Sequence, residues 1–213
     1  QTPENSSSED EEPDVFVQMP LTKTRKISKL RYMTDPLPKD LLIIGHITLY
    51  LYASIDSDDT NWMAILKDVG PDPSVRTVRE GEREVPLRRV FSRELTRGWL
   101  KASHRYVDPE RSKPWYPFHP LTEERWSPVN PGEINEYAIN ILPTANLFKA
   151  GHRICLEITC MDIPTGVSGA TNVEYIPYHI CSARTVVHRI YHSRKYPSHL
   201  LLPVITNPVG WVD

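Results

Sequence analysis

Glycine is scarce in this chain. Its 213 residues hold 9 glycines against 20 prolines, where the usual shares are about 7% and about 5%. So few glycines exclude Gly-rich nucleotide cradles in any number. An interior proline costs a helix about 3 kcal/mol, so prolines spread along the whole chain exclude a helix bundle. Cysteine is nearly absent: Cys155, Cys160 and Cys181 are too few, and odd in number, for a disulfide framework. A reducing, cytoplasmic setting is the expectation. An excess of one charge is missing too. Lys and Arg number 25, Asp and Glu 27, for a net charge of -2, which excludes a general nucleic-acid platform. No apolar run nears the roughly 18 residues of a membrane helix; Gly45 and His46 break the longest, Leu41 to Ile44. There is no signal-like segment, and a start at Gln1 reads as a fragment of something longer.

What is present suits a protein with a real core. Hydrophobic residues make up 39% and charged residues 24%. Residues 1–14 are acidic and Ser-rich, and Lys23 to Arg31 are basic. The expectation is a disordered linker over 1–29 and one domain over 30–213.

From Leu30 the pattern has period two. In Leu41 to Ile55, Ile47, Leu49, Leu51 and Ala53 share one face, and His46, Thr48, Tyr50 and Tyr52 the other. Such alternation with β-branched and aromatic residues predicts a strand. Asp56 to Asn61 reads as a turn, and Trp62 to Val69 as a second strand broken by Gly70 to Pro73. Further strands are expected at Gly98 to Arg105, Glu133 to Leu142, Gly151 to Met161, Ala183 to His192 and Ser198 to Ile205. In Gly151 to Met161 the pattern places Ile154, Leu156, Ile158 and Cys160 inward, and Arg153, Cys155, Glu157 and Thr159 outward. Pro143 to Ala150 could hold one helical turn, and a charge-rich helical stripe is possible in Val78 to Leu95. Pro109 to Pro131 carries six prolines and no period, as in a long ordered excursion. Seven or eight short strands with Pro-rich turns predict an all-β sandwich, a jelly roll of galactose-binding-domain type.

Catalytic constellations fail on spacing. Gly166-Val167-Ser168-Gly169-Ala170 has Ala where a nucleophile elbow needs Gly, and no helix pattern follows it. Ser103 and His104 are neighbours on an expected strand and face opposite ways. His188 and His192 have zinc-like spacing, but Arg189 stands where HExxH needs Glu, and two histidines are an incomplete site. Asp56, Asp58, Asp59 and Asn61 offer oxygen ligands without the Gly and distal Glu of a calcium loop; a turn whose side chains bind their own backbone accounts for them. No catalytic residue, metal or cofactor is expected. The remaining candidates are aromatic. Trp99, Trp115, Tyr116, Phe118 and Trp126 concentrate ring area near the Pro-rich excursion, either as a docking face or as the excursion's own small core.

Several motifs then stand in order. Thr34-Asp35-Pro36-Leu37 looks like an opening segment. Ser54 to Trp62 with Leu66-Lys67-Asp68-Val69 looks like the SxxDDTxWxxxLxDV signature. Arg97 to Arg105 looks like the GxLRASHR strand. Pro131-Gly132-Glu133 precedes a strand ending Leu142-Pro143-Thr144-Ala145, and Phe148 to Ile154 fits FxAGHRLRLEI. Over roughly 30–206 the chain resembles the C-terminal jelly roll of the X-prolyl dipeptidyl aminopeptidase and cocaine esterase family of serine hydrolases. It departs at Asn61, where a second acidic residue is common, and at Cys155, where a basic residue is usual. The resemblance implies a non-catalytic domain that packs on and stabilises an α/β-hydrolase domain of the same parent chain, the parent forming a serine ester. Neither nucleic acid nor membrane is an expected partner; a second copy of the chain is a further one. The reading from another class is a stand-alone, carbohydrate-type binding module that stacks sugars on Trp115, Tyr116 or Trp126.

Overall fold

A computed structural model describes residues 12–71, 76–80, 83–87, 90–162 and 179–206. The described residues form eleven strands: β1 (Asp14–Gln18), β2 (Lys29–Met33), β3 (Leu41–Ile55), β4 (Asn61–Pro71), β5 (Arg76–Glu80), β6 (Arg83–Leu87), β7 (Val90–Lys101), β8 (Asn135–Phe148), β9 (Arg153–Thr159), β10 (Val186–Tyr191) and β11 (His199–Leu201). The pairing order is β1-β10-β3-β8-β7-β4-β9-β2. β11 lies on β3 beside β10, and β5 and β6 form a separate hairpin. Every paired neighbour is antiparallel.

The order divides into two halves. One holds β1, β10, β11, β3 and β8; the other holds β7, β4, β9 and β2. A single ladder pair among the described residues, Gly98 with Ile141, joins them. Alternation then does the rest. Ile47, Leu49, Leu51 and Ala53 of β3 and Tyr137, Ile139 and Ile141 of β8 meet Trp62, Ala64 and Leu66 of β4 and Ile154, Leu156 and Ile158 of β9 in one core. This is the expected all-β sandwich, with Ile154, Leu156 and Ile158 inward.

Several expectations need correction. The helical stripe in Val78 to Leu95 is absent: that stretch runs through β5, β6 and the start of β7. The helical turn at Pro143 to Ala150 is instead the end of β8. β8 crosses Pro143 because the β3 register slips between Gly45 and Ile47, so the missing N–H falls where no ladder bond is due. The strand from Gly98 ends at Lys101 and turns into a short 3-10 segment, Ala102–His104.

The expected linker over 1–29 is also partly structured; residues 1–11 lie outside the described residues. β1 pairs with the edge of β10, and Phe16 is buried. Gln18, buried as well, gathers the following loop. Its Oε1 accepts from Ser28 N at 2.8 Å, and its Nε2 donates to Met19 O and Lys26 O. A five-residue strand with Val15 and Val17 exposed and only Phe16 and Gln18 inward leaves a faint pattern.

The largest correction is on β9, where Cys155, Glu157 and Thr159 are as buried as the core. The outer face of β9 is covered, and a carboxylate lies beneath the cover.

Candidate functional site

The motif residues build three clusters. The first hangs on the Asp56–Asn61 turn. Asp59 accepts from Thr60 N at 3.0 Å, Ser103 N at 2.9 Å and Ser103 Oγ at 2.8 Å, with Lys101 Nζ at 3.2 Å. Arg105 donates to Ala102 O, Ser127 O and Pro128 O. Val129 N reaches Asp58 O, and Gly132 N reaches Ile55 O. Two stretches far apart in sequence thus tie both ends of the Pro-rich excursion to the β3–β4 turn. Halfway along it, His119 bonds Tyr106 O and Ala138 O, the second on β8. We expect Asp59→Asn, which weakens four contacts at once, to lower stability by about 2 kcal/mol and to speed proteolysis within 103–131. Limited digestion followed by mass spectrometry would check both the cleavage site and its order.

The same turn carries Thr60, whose Oγ1 lies 2.8 Å from His188 Nε2. The His188 ring is fully buried, stacked on Phe16 and edge-on to Trp62. Burial disfavours the imidazolium and pulls its pKa down to about 4. The unfolded chain therefore takes up this proton first as pH falls. Stability from this group is whole above about 6.5 and is lost progressively from there down through about 4. Urea midpoints measured across that window should fall less steeply for His188→Phe than for the parent chain.

The second cluster joins the LKDV and AGHR motifs. Buried Asp68 Oδ1 sits 2.7 Å from His152 Nδ1. An added Cβ on Gly70 would lie 2.4 Å from the His152 ring, so glycine at 70 makes room for the histidine. Gly151, at φ +82°, turns the chain into β9, and Leu37 holds that turn through its N–H to His152 O and its carbonyl to Gly151 N.

The third is the covered carboxylate. Glu157 accepts from Lys29 Nζ at 2.8 Å and from Arg31 Nη2 and Nε at 2.6 and 2.9 Å; Lys67 Nζ stands at 2.8 Å. Burial alone would raise its pKa. The hydrogen bonds from Lys29, Lys67 and Arg31 outweigh that and hold it at about 2. Three strands, β2, β9 and β4, are pinned through this one group.

Ser103 is buried, and its hydroxyl is committed to a carboxylate with no histidine between. Burial raises the Cys155 thiol and pushes Cys160 up to about 12, and neither is a nucleophile in that state. Among the described residues no three His, Cys, Asp or Glu side chains group as metal ligands, and no helix is long and apolar enough to cross a membrane. Gly166 to Ala170, with Ser168, lie outside the described residues.

The candidate aromatics are spread over different surfaces. Trp99 opposes Met63 across the β4–β7 ladder, which puts it on the outer face of the second half, beside His179 at 5.1 Å. Trp115 and Tyr116 sit at a tight turn laid over the other half: Tyr116 meets His46 at 5.0 Å, and Tyr50 donates to Pro114 O. Phe118 is half-buried under the Arg111 guanidinium, 3.6 Å away. Trp126 borders a shallow cleft with Arg105 and Tyr106. Trp99, Trp115, Tyr116 and Trp126 are exposed, Trp115 by 55%. Trp99 and the Trp115–Tyr116 pair face opposite ways.

A feature with no signal in the sequence lies where the halves part. A groove of about 450 Å³ opens between β2 on one side and β10 and β11 on the other, and its floor is the core itself: Leu49, Leu51, Ile154, Leu156 and Ile190. Tyr32 spans its rim to Asp14, donating to Oδ2 at 2.9 Å, and His192 Nε2 lies 3.3 Å from the same oxygen. Burial and that carboxylate push the Tyr32 hydroxyl far up. Only long-range pairing brings residues 14, 32 and 192 together, so no local motif announces them.

The fold is an all-β sandwich, and its motif residues bond to its own loops. The chain belongs to the family of X-Pro dipeptidyl-peptidase C-terminal non-catalytic domains, whose family model matches residues 1–201. It is 31% identical over 186 residues to a protein of Mycobacterium bovis named as a serine esterase, covering 87% of this chain and 25% of that one. It is 27% identical over 181 residues to the cocaine esterase of a Rhodococcus species, covering 83% and 25%. The chain thus spans about a quarter of the length of these relatives. A CocE/NonD family hydrolase from Staphylococcus aureus has the same fold over 91% of this chain and 33% of its own, with TM-score 0.63 at 22% identity. An aminopeptidase from a marine sediment archaeon follows, with TM-score 0.59 at 18% identity over 91% and 33%.

Proposed function

We propose that this chain is the C-terminal sandwich of a serine hydrolase that cleaves esters or X-Pro dipeptides, and that it packs on and stabilises the α/β-hydrolase domain of that parent. The observation that carries this is the internal use of the motif residues. Asp59, Ser103, Arg105, Asp68 and His152 all bond within the domain, so the recurring motifs serve its architecture and leave chemistry to another part of the chain. Its groove and exposed rings supply surface for that part to cover.

Activity of the isolated chain tests the first half. With p-nitrophenyl esters and X-Pro anilides we expect no turnover; turnover that survives purification and disappears in Ser103→Ala or Ser168→Ala overturns the proposal. The second half is tested in the longer polypeptide. Removing residues 12–206 should lower the thermal midpoint of the catalytic portion, and an unchanged midpoint would count against a stabilising role.

A further inference from the structure

We propose that the groove between β2 and β10–β11 is the seat of an apolar peptide segment from the catalytic portion of the longer chain. This rests on the docking role proposed above and names the surface and the kind of partner.

The floor of the groove is unfinished core. Leu49, Leu51, Ile154, Leu156 and Ile190 belong to the one cluster that holds the sandwich together, yet they line an opening of about 450 Å³. That volume falls within the range of about 300–1000 Å³ of working binding pockets. An apolar concavity of this depth gains by losing its water, and the neighbouring strands do not close it. Leu200, on its wall, packs against that core and is only half-buried. The polar groups at the mouth are used on each other: Asp14 with Tyr32 and His192, and Ser198 Oγ with Tyr191 O at 2.6 Å. No charge in the wall calls for a counter-charge, so the occupant is apolar.

The position of the mouth selects the source. Asp14 is both the first residue of β1 and part of the rim. The family is a C-terminal domain, and relatives are more than three times as long as this chain. The polypeptide that joins the catalytic portion to the sandwich therefore arrives at the edge of the groove. A segment of that portion meets the groove at raised effective concentration, because the two are parts of one polypeptide.

Hydrogen exchange, compared between this chain alone and the longer polypeptide that contains it, tests the proposal. Amides of Tyr32 to Thr34, Ile190 to His192 and Leu200 should exchange at least tenfold more slowly in the longer polypeptide. If another surface gains that protection and these amides do not, the groove proposal is overturned and the docking role stands. If no surface of the sandwich gains protection, both fail. Leu200→Arg and Leu200→Glu, placed in the longer polypeptide, give a second readout. The Leu200 side chain packs on the core at the wall of the groove, and either charge should undock the domain and raise the radius of gyration in small-angle scattering. Leu142→Arg, at an exposed position of β8 outside the groove, should leave the radius unchanged. An unchanged radius in both Leu200 variants overturns the proposal, and the exchange comparison decides it should either variant fail to fold.

Discussion

Glu157→Ala is expected to cost about 3–5 kcal/mol, the range for breaking a buried ion pair from one side. Its side chain has no solvent exposure, and Lys29, Arg31 and Lys67 converge on it from two neighbouring strands. Removal leaves three cations crowded together without their shared carboxylate. Leu156→Ala, one residue away and facing the core, should cost a similar 2–5 kcal/mol through lost burial and a cavity. Alternation alone would give the outward residue the much smaller effect, so near-equal losses in urea melts distinguish the two pictures. Glu157→Gln keeps the volume and removes the charge; it should recover only part of the loss. The carboxyl also sets an acid limit. Its pKa is held at about 2 against an ordinary 4.5, so its contribution is complete above about 4.5 and fades as pH falls towards 2. Below that range wild type and Glu157→Gln should converge in stability.

Gly98→Ala should be at least as damaging. An ideal Cβ at 98 would lie 2.4 Å from Asn140 O and 2.7 Å from Ile141 Cα. Both are backbone atoms, so no side chain can swing aside. They belong to β8 at the one ladder pair that joins the halves among the described residues. Relief requires the halves to separate, which breaks the core along its length. We expect more than about 4 kcal/mol, at the rare end of single substitutions, seen as loss of the cooperative transition or failure to accumulate folded protein. The control is Gly132→Ala, where no atom lies within 4 Å but φ is +83°; there the cost is backbone strain alone, about 1 kcal/mol.

The strands that could be read from sequence are those whose two faces differ. β3 shows apolar and polar residues in turn because its outer face is largely lined by Tyr50, Tyr52 and His46, and the in–out assignment of Ile47 to Ala53 follows directly. β9 misleads for the opposite reason. Glu157 is charged, so period two reads it as solvated, yet its burial is decided by Lys29 and Arg31, more than a hundred residues earlier. Distance along the chain also hides the groove, whose rim needs residues 14, 32 and 192 at once. β1 is short, and its inward residues are few. Val78 to Leu95 is charge-rich enough to mimic a helical face. Motifs carried the rest: SxxDDTxW and GxLRASHR, recognised as strings, prove to be the two halves of one hydrogen-bonded joint at Asp59 and Ser103.

The edge pairings also set a timetable for synthesis. β1 pairs Asp14 with Ile190, and β2 pairs Lys29 with Thr159. At about 5–20 residues per second of translation, β1 leaves the ribosome roughly 10–35 s before its partner exists. For that interval Val15, Phe16 and Val17 form an unpaired, β-prone segment, the kind that recruits other nascent chains. The residues just ahead of it are Glu9, Asp10, Glu11, Glu12 and Pro13. Four negative charges and a proline are what flanking gatekeepers look like. We expect this acidic stretch to act as a solubility guard during the wait. Neutralising it should lower the yield of soluble protein from rapid expression while leaving the melting temperature of the purified domain where it was.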